Sequence, residues 1–194
     1  VKRFILAITA ASGPAVGLRL AEELLRNYEL HLIISEGAFG VIRDETGLSW
    51  SGAADKALAR HFASERLFVY DNDDLAAAPA SGSFLTDGMI VAPCSMKTLS
   101  GIACGYADNL IGRAADVAVK EGRPLILSPR ETPFSAIHLE NMLKLARLGV
   151  KIVPPVAAFY HKPETIEDLV AFIAGKILDS AGVAHDLFRR WGNP

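Results

Sequence analysis

The sequence predicts an α/β fold, a parallel sheet with helices on both faces. Three observations carry that expectation. Phe4–Ile8, Leu30–Ile34, Met89–Ala92 and Pro124–Leu127 are near-continuous apolar runs rather than alternating ones, as strands buried on both faces require. Small or hydroxyl residues follow these runs, and helical periodicity then takes over. No internal repeat or linker breaks the order, so the 194 residues are expected to form one domain with a substantial core. The arrangement expected is a single-domain Rossmann-like (flavodoxin-like) sheet over residues 1–194, with right-handed βαβ units. The C-terminal helix and tail, about 165–194, are expected to pack on the site or on a neighbouring subunit.

In chain order, Phe4–Ile8 is the first strand, and Thr9-Ala10-Ala11-Ser12-Gly13 turns into a helix whose first turn suits Pro14. Val16, Leu18, Leu20, Leu24 and Leu25 form its apolar face, ending near Asn27 and Tyr28. Leu30–Ile34 is the second strand and Ser35 begins its loop. Residues 37–62 read as two short helices flanking Gly47, Ser49 and Trp50, and Leu67–Tyr70 as a brief strand. Asp71-Asn72-Asp73-Asp74 follows, a solvated turn rather than a cation loop, because it lacks the Gly and Glu such a loop needs. Ala76–Ser83 is small and turn-forming, either a plain surface loop or a lid.

Gly88–Lys120 is the stretch on which the chain is organised. Its strand, Met89–Ala92, is expected to stop at Pro93, and a loop then leads into helix. Ser95, Lys97 and Thr98 place two hydroxyls and an ammonium at a strand's carboxyl end, where α/β sheets bind ligands. An oxygen-rich, anionic or heteroaromatic ligand fits there, while Ser95 as a simple helix cap is an equal alternative. Pro124–Leu127 is the next strand, and Ser128–Pro133 a proline-stiffened loop carrying Arg130 and Glu131. A helix over Phe134–Leu148 is expected to present Ile137, Met142, Leu145 and Leu148 as its apolar face, with Gly149 ending it. Lys151–Val153 is the last strand, Pro154-Pro155 forces a non-helical segment through Phe159-Tyr160-His161, and a final helix runs from about Thr165 to Ser180 with Thr165 and Asp168 at capping-box spacing.

A formal net charge of −2 gives no basic field for nucleic acid or an anionic membrane. Val1–Thr9 is apolar but short, and no apolar run approaches the roughly 18 residues of a membrane span. A hydrophobic content of 51% suggests that apolar surface goes into subunit contacts. Cys94 and Cys104 stand in no metal-ligand spacing and are read as free thiols of a reducing cytoplasm. The first loop lacks the GxGxxG fingerprint, so a mononucleotide is a better expectation than a dinucleotide.

TAASG at Thr9–Gly13, APCSMKTLSGIACGYADNL at Ala92–Leu110, SPRETPFSAIHLENMLKL at Ser128–Leu145 and AFYHKPETIEDLV at Ala158–Val170 together resemble the UbiX family of flavin prenyltransferases over nearly the whole chain. The resemblance implies an α/β flavoprotein that takes reduced FMN and dimethylallyl monophosphate and closes a ring across N5 and C6 of the flavin. The product, prenylated FMN, serves UbiD-type decarboxylases, and the family's reaction needs no metal. It further implies a homododecamer with sites near subunit boundaries.

Carried over on matching positions, the resemblance assigns Lys120, Arg130, Tyr160 and Lys176 to the leaving phosphate, and Ser12 and Glu131 to proton movement. Such cations stabilise a departing phosphate without a metal. FMN contacts fall on Ala10, Ala11, Ser12, Ser35, Ser95, Met96, Lys97, Thr98 and Arg130, with Arg113 either helping or forming a surface ion pair. Ala10 replaces a common glycine, which requires a negative φ. Lys176 replaces a usual arginine, giving up bidentate geometry while keeping charge. Cysteine-decarboxylase flavoproteins share Pro93, Ser95, Thr98, Gly105 and Asp108-Asn109-Leu110, but Met96-Lys97 and the Arg130-Glu131 pair favour the prenyltransferase branch. A non-catalytic flavin carrier is the reading from a different class.

Overall fold

The computed structural model describes residues 2–50 and 54–192. Its six strands are all parallel: β1 (Arg3–Ile8), β2 (Glu29–Ile34), β3 (Leu67–Tyr70), β4 (Gly88–Cys94), β5 (Leu125–Pro129) and β6 (Lys151–Ile152). They lie in the order β3-β2-β1-β4-β5-β6. This is a doubly wound sheet, whose order reverses between β1 and β4, and a crevice is expected at that switch point. The helices are α1 (Pro14–Leu25), α2 (Glu36–Thr46), α3 (Ala54–Phe62), α4 (Met96–Cys104), α5 (Leu110–Lys120), α6 (Ala136–Arg147) and α7 (Ile166–Ala181).

Two apolar clusters fill the space on the two sides of the sheet. One joins Leu6, Ile8, Leu20, Leu24, Leu32 and Ile177, and the other joins Ala7, Val91, Leu99, Ala115, Leu127 and Leu145. Adjacent residues of a strand, such as Leu6 and Ala7, enter opposite clusters because strand side chains alternate faces, which explains the unbroken apolar runs. Helix α1 lies so close to the sheet that a side-chain carbon on Gly17 would collide with the Ala92 carbonyl oxygen and with Ile8.

Three expectations change. Strand β4 does not stop at Pro93 but runs through it to Cys94, with a cis peptide at Ala92-Pro93 and a register shift between Val91 and Cys94. Proline has no amide to give the ladder, but its carbonyl is used: the Thr9 amide and hydroxyl both donate to it, at 3.2 and 2.8 Å. The stretch after β4 is two helices, divided where Gly105 adopts φ 69°. In α6 only Met142 and Leu145 of the expected face are buried, whereas Ile137 and Leu148 are exposed, as are Leu139 and Leu143. Four exposed apolar side chains on one helix need a covering surface that a single chain does not provide.

The capping box at α7 forms as its spacing predicts: Thr165 accepts from the Asp168 amide at 3.1 Å and Asp168 accepts from the Thr165 amide at 2.9 Å. Ala76–Ser83 is a fastened loop. Arg113 Nε donates to the Ala80 carbonyl at 3.1 Å, and Arg123 donates to the carbonyls of Gly82 and Phe84 at 2.5 and 2.7 Å. No helix among the described residues is long and apolar enough to cross a membrane.

Candidate functional site

A cleft of about 600 Å³ opens at the carboxyl ends of β1 to β4, within the range of small-molecule sites. Thr9 and Ala10 after β1, Ser35 and Gly37 after β2, and Asn72 after β3 contribute to its wall. Ser95, Lys97 and Thr98 after β4 complete that side. The local chain explains each placement, because every one of these residues follows directly on a strand whose apolar run has just ended.

Thr9 fastens the switch point. Its buried hydroxyl donates to the Pro93 carbonyl at 2.8 Å and accepts from the Ser95 amide at 2.8 Å, joining the β1 and β4 loops across the crevice. Ser95 then caps α4, accepting from the Thr98 amide at 3.2 Å while its hydroxyl meets Thr98 Oγ1 at 3.0 Å. Ser95 is therefore the cap of α4 and also part of the cleft wall. Ser35 stands at the N-cap of α2 without a side-chain capping bond.

The three helix starts around the cleft are not equivalent. At α5 the amides of Leu110 and Ile111 donate to Asn72, at 2.7 and 3.1 Å, and that of Gly112 donates to Asn109 at 2.9 Å. Those amides are taken. At α4 the cap accounts for Thr98, leaving the amides of Met96 and Lys97 without intrahelical partners at a positive helix end, beside the Lys97 ammonium. Amide donors without partners therefore face the cleft region at the start of α4 rather than of α5.

The first loop is held from below. Gly13 takes φ 91°, a conformation glycine reaches without strain, and its amide donates to Glu45 Oε2 at 2.9 Å. Ala10 is not among the described non-glycine residues with positive φ, so its replacement of glycine introduces no strain. Ala11 is buried and Ser12 partly exposed in the same loop.

Beside the cleft, the Arg130 amide donates to the Cys94 carbonyl at 3.2 Å, which sets Arg130 at the end of β5 next to the end of β4. Its guanidinium Nε is buried with no hydrogen-bond partner. A buried donor left unpaired is costly, and an acceptor arriving from outside the chain would relieve it. Glu131 is exposed, its Oε1 accepting from the Thr132 amide at 3.0 Å. Met96 is partly buried and packs against the apolar cluster rather than lining the cleft.

Of the expected residues outside the cleft lining, Lys120, Arg113, Lys176 and Tyr160 are held elsewhere within one chain. Helix α5 starts at the cleft and runs antiparallel to the strands, so Lys120, ten residues beyond its first residue, stands about 15 Å away at the other edge of the sheet, paired with Glu121. Arg113 is committed to Ala80 and to Asp116, at 2.6 Å, which is the ion-pair reading of that residue. Lys176 lies about 15 Å along α7, its ammonium 3.7 Å from Asp179. Tyr160 is half exposed in the segment after β6, in edge contact with Phe172 and Trp191.

Sequence patterns gave no role to Thr9, Glu45 or Asn72, because each acts through a contact 32 to 86 residues away. The acidic turn is a turn: Asp71 and Asp74 carboxylates accept from the amides of Asp73 and Ala76, both at 3.0 Å. The Cys94 thiol is fully buried, which pushes it up to about 12 and makes it inert, while Cys104 is exposed at the cleft wall.

The flavoprotein family model matches residues 1–178. A flavin prenyltransferase UbiX of Methanocaldococcus jannaschii is 47% identical over 190 residues, covering 98% of each chain. The dodecameric FMN-dependent UbiX-like decarboxylase of Escherichia coli O157:H7 superposes with TM-score 0.90 at 48% identity, over 98% of this chain and 100% of that one. AnUbiX, solved in complex with FMN and dimethylallyl pyrophosphate, gives TM-score 0.90 at 44% identity, over 99% of this chain and 98% of that one.

Proposed function

Because the chain belongs to the UbiX-like flavin prenyltransferases of the flavoprotein family, we propose that it transfers a dimethylallyl group from dimethylallyl monophosphate to reduced FMN, at N5 and C6, and so makes prenylated FMN. The observation that carries this reading is the pairing, at the switch point of the sheet, of a flavin-sized cleft with an arginine whose buried Nε has no partner. A site for flavin alone needs no second unsatisfied cation at the end of β5.

Reduced flavin, when bound, supplies the nucleophilic positions that accept the prenyl carbon. The chain supplies the rest. Ser35, Ser95, Lys97, Thr98 and the free amides of α4 hold the acceptor's polar groups, with Ala10 and Ala11 allowing close approach. Arg130 takes the leaving phosphate, which charge-assisted hydrogen bonds stabilise as its negative charge develops. Ser12 and Glu131 move protons between acceptor and phosphate, and Tyr160 donates a further hydrogen bond.

Lys120 and Lys176 serve the phosphate of a neighbouring copy's site, since α5 and α7 carry them away from their own cleft. A dodecamer, as in the Escherichia coli relative, with exposed Ile137, Leu139, Leu143 and Leu148 in subunit contacts, supplies such neighbours. The protein works in the cytoplasm and passes its product to a UbiD-type decarboxylase.

The test is to incubate the protein anaerobically with reduced FMN and either dimethylallyl monophosphate or the pyrophosphate, and to weigh the flavin by mass spectrometry. A flavin heavier by one dimethylallyl unit supports the reading, and the better donor identifies the phosphate. An unchanged flavin under reducing conditions would make the chain a carrier.

A further inference from the structure

Asn72, two residues beyond the end of β3, is held by both of its oxygens. Its backbone carbonyl accepts from the Leu110 amide at 2.7 Å, and its side-chain Oδ1 accepts from the Ile111 amide at 3.1 Å. The turn that carries it is fixed as well, since the Asp71 carboxylate accepts from the Asp73 amide at 3.0 Å and the Asp71 carbonyl from the Asp74 amide at 3.2 Å. Asn109 takes the next amide of α5, that of Gly112, at 2.9 Å.

These bonds decide which way the Asn72 carboxamide faces. A backbone amide can only donate, so the atom turned to Ile111 must be the oxygen, and Nδ2 is on the other arm of the planar group. Among the described residues Nδ2 has no partner, and Asn72 is a partly exposed residue of the cleft wall. Accepting from the positive end of a helix polarises the carboxamide and strengthens its N–H groups as donors. The start of α5 thus reaches the cleft through a neutral donor rather than through its own amides.

Charge around Asn72 selects what it can bind. Asp73, its chain neighbour, and Asp108, beside Asn109, are carboxylates of the same wall. With those carboxylates near and the α5 amides taken, a phosphate is disfavoured at this end of the cleft. The Lys97 ammonium and the unpartnered amides of α4 suit it better. A neutral oxygen carries no such penalty beside Asp73.

We propose that Asn72 is a specificity-determining residue of the flavin site, its Nδ2 donating to a neutral oxygen of the bound flavin, a ring carbonyl or a ribityl hydroxyl. This role rests on the flavin-binding reading of the cleft and is independent of prenyl transfer.

The experiment titrates FMN and riboflavin, which lacks the phosphate, separately into the flavin-free full chain by fluorescence, for the wild type, Asn72→Asp and Asn72→Ala. Asn72→Asp keeps an oxygen for the Ile111 amide and removes the donor. Its urea midpoint should equal or exceed that of the wild type, while both flavins bind about tenfold to a hundredfold more weakly. Asn72→Ala removes donor and acceptor together, so affinity and urea midpoint should both fall. Wild-type affinity for both flavins in Asn72→Asp would reduce Asn72 to a fastening of α5 and overturn the donor. A loss confined to FMN would be the new carboxylate repelling the phosphate, and overturns it equally. A wild-type protein that binds neither flavin defeats the flavin-binding reading itself, and the donor with it.

Discussion

Glu45, at the end of α2, accepts a hydrogen bond from the backbone amide of Gly13 through Oε2 at 2.9 Å. One carboxylate thus anchors the β1 loop from a neighbouring crossover. Glu45→Ala should leave the Gly13 amide without its acceptor and weaken FMN binding by about tenfold, the loss of one charge-assisted hydrogen bond. Glu45→Gln retains an acceptor and should lose less. Flavin fluorescence titration of both variants measures the difference, and equal affinity in all three proteins would remove Glu45 from the loop's support.

Glu131→Gln keeps shape and hydrogen-bonding capacity but cannot take a proton. FMN affinity should be retained, while prenylation slows by about the 10²–10⁴-fold of a lost acid–base group. Equilibrium dialysis and single-turnover flavin spectra read the two quantities separately. A wild-type rate would leave Glu131 as a neighbour of Arg130 with no proton to move.

Lys120 and Arg130 sit at opposite edges of one sheet, so a site that uses both must draw them from two copies. Lys120→Ala and Arg130→Ala should each be nearly inactive alone. Unfolded together and refolded in equal amounts, they should recover up to about a quarter of wild-type activity, the share of sites that receive both native residues. No recovery in mixed oligomers of confirmed composition would mean that one copy supplies both residues to a site, and an active Lys120→Ala enzyme would place Lys120 outside the reaction.

Gly17→Ala inserts a methyl group where the Ala92 carbonyl oxygen already stands. Backbone cannot retreat as a flexible side chain can, so the variant should lose about 1–3 kcal/mol of stability. Urea denaturation measures this. Gly40→Ala, in α2 with open space around the position, should be neutral or stabilising and serves as the control.

His31 is buried in β2, its Nε2 2.8 Å from Glu29 and its Nδ1 2.8 Å from the Tyr70 hydroxyl. Burial depresses its pKa, outweighing the opposite pull of Glu29. For Glu29, burial pushes upward, but hydrogen bonds from His31 and Arg3 leave it below the usual range. As pH falls below about 6.5, the ordinary histidine value, the unfolded chain takes up a proton that folded His31 resists, so stability present above that pH is lost toward the lower folded value. The slope should reach at most about 1.4 kcal/mol per pH unit for this group, and the Glu29 loss follows at lower pH with the same sign. His31→Gln should flatten the first part of the profile of urea midpoints between pH 7.5 and 5, and an unchanged slope would assign it to other groups.

The sheet was legible in the residues because strands buried on both faces leave a local record: Phe4–Ile8 and Leu30–Ile34 are apolar throughout. Two boundaries were not. Pro93 reads as a stop, yet β4 passes it because Thr9, 84 residues away, accepts the task of pairing its carbonyl. Gly105 reads as one small residue among several, yet it ends α4 by adopting a left-handed conformation.

The candidate site divides along the same line. Ser35, Ser95, Lys97 and Thr98 could be named from sequence because a ligand crevice forms at strand ends and these residues follow strand ends directly. The family motifs named Lys120, Arg113 and Lys176 as well, but helix length and direction decide where those side chains stand, and each is turned elsewhere within its own chain. Periodicity records which face of an element is buried, and it does so within a few residues. Which loops meet, and so which carboxylate supports Gly13 or which asparagine fills the amides of α5, depends on the crossover order that brings β3, β2, β1 and β4 side by side, and only the folded chain contains it.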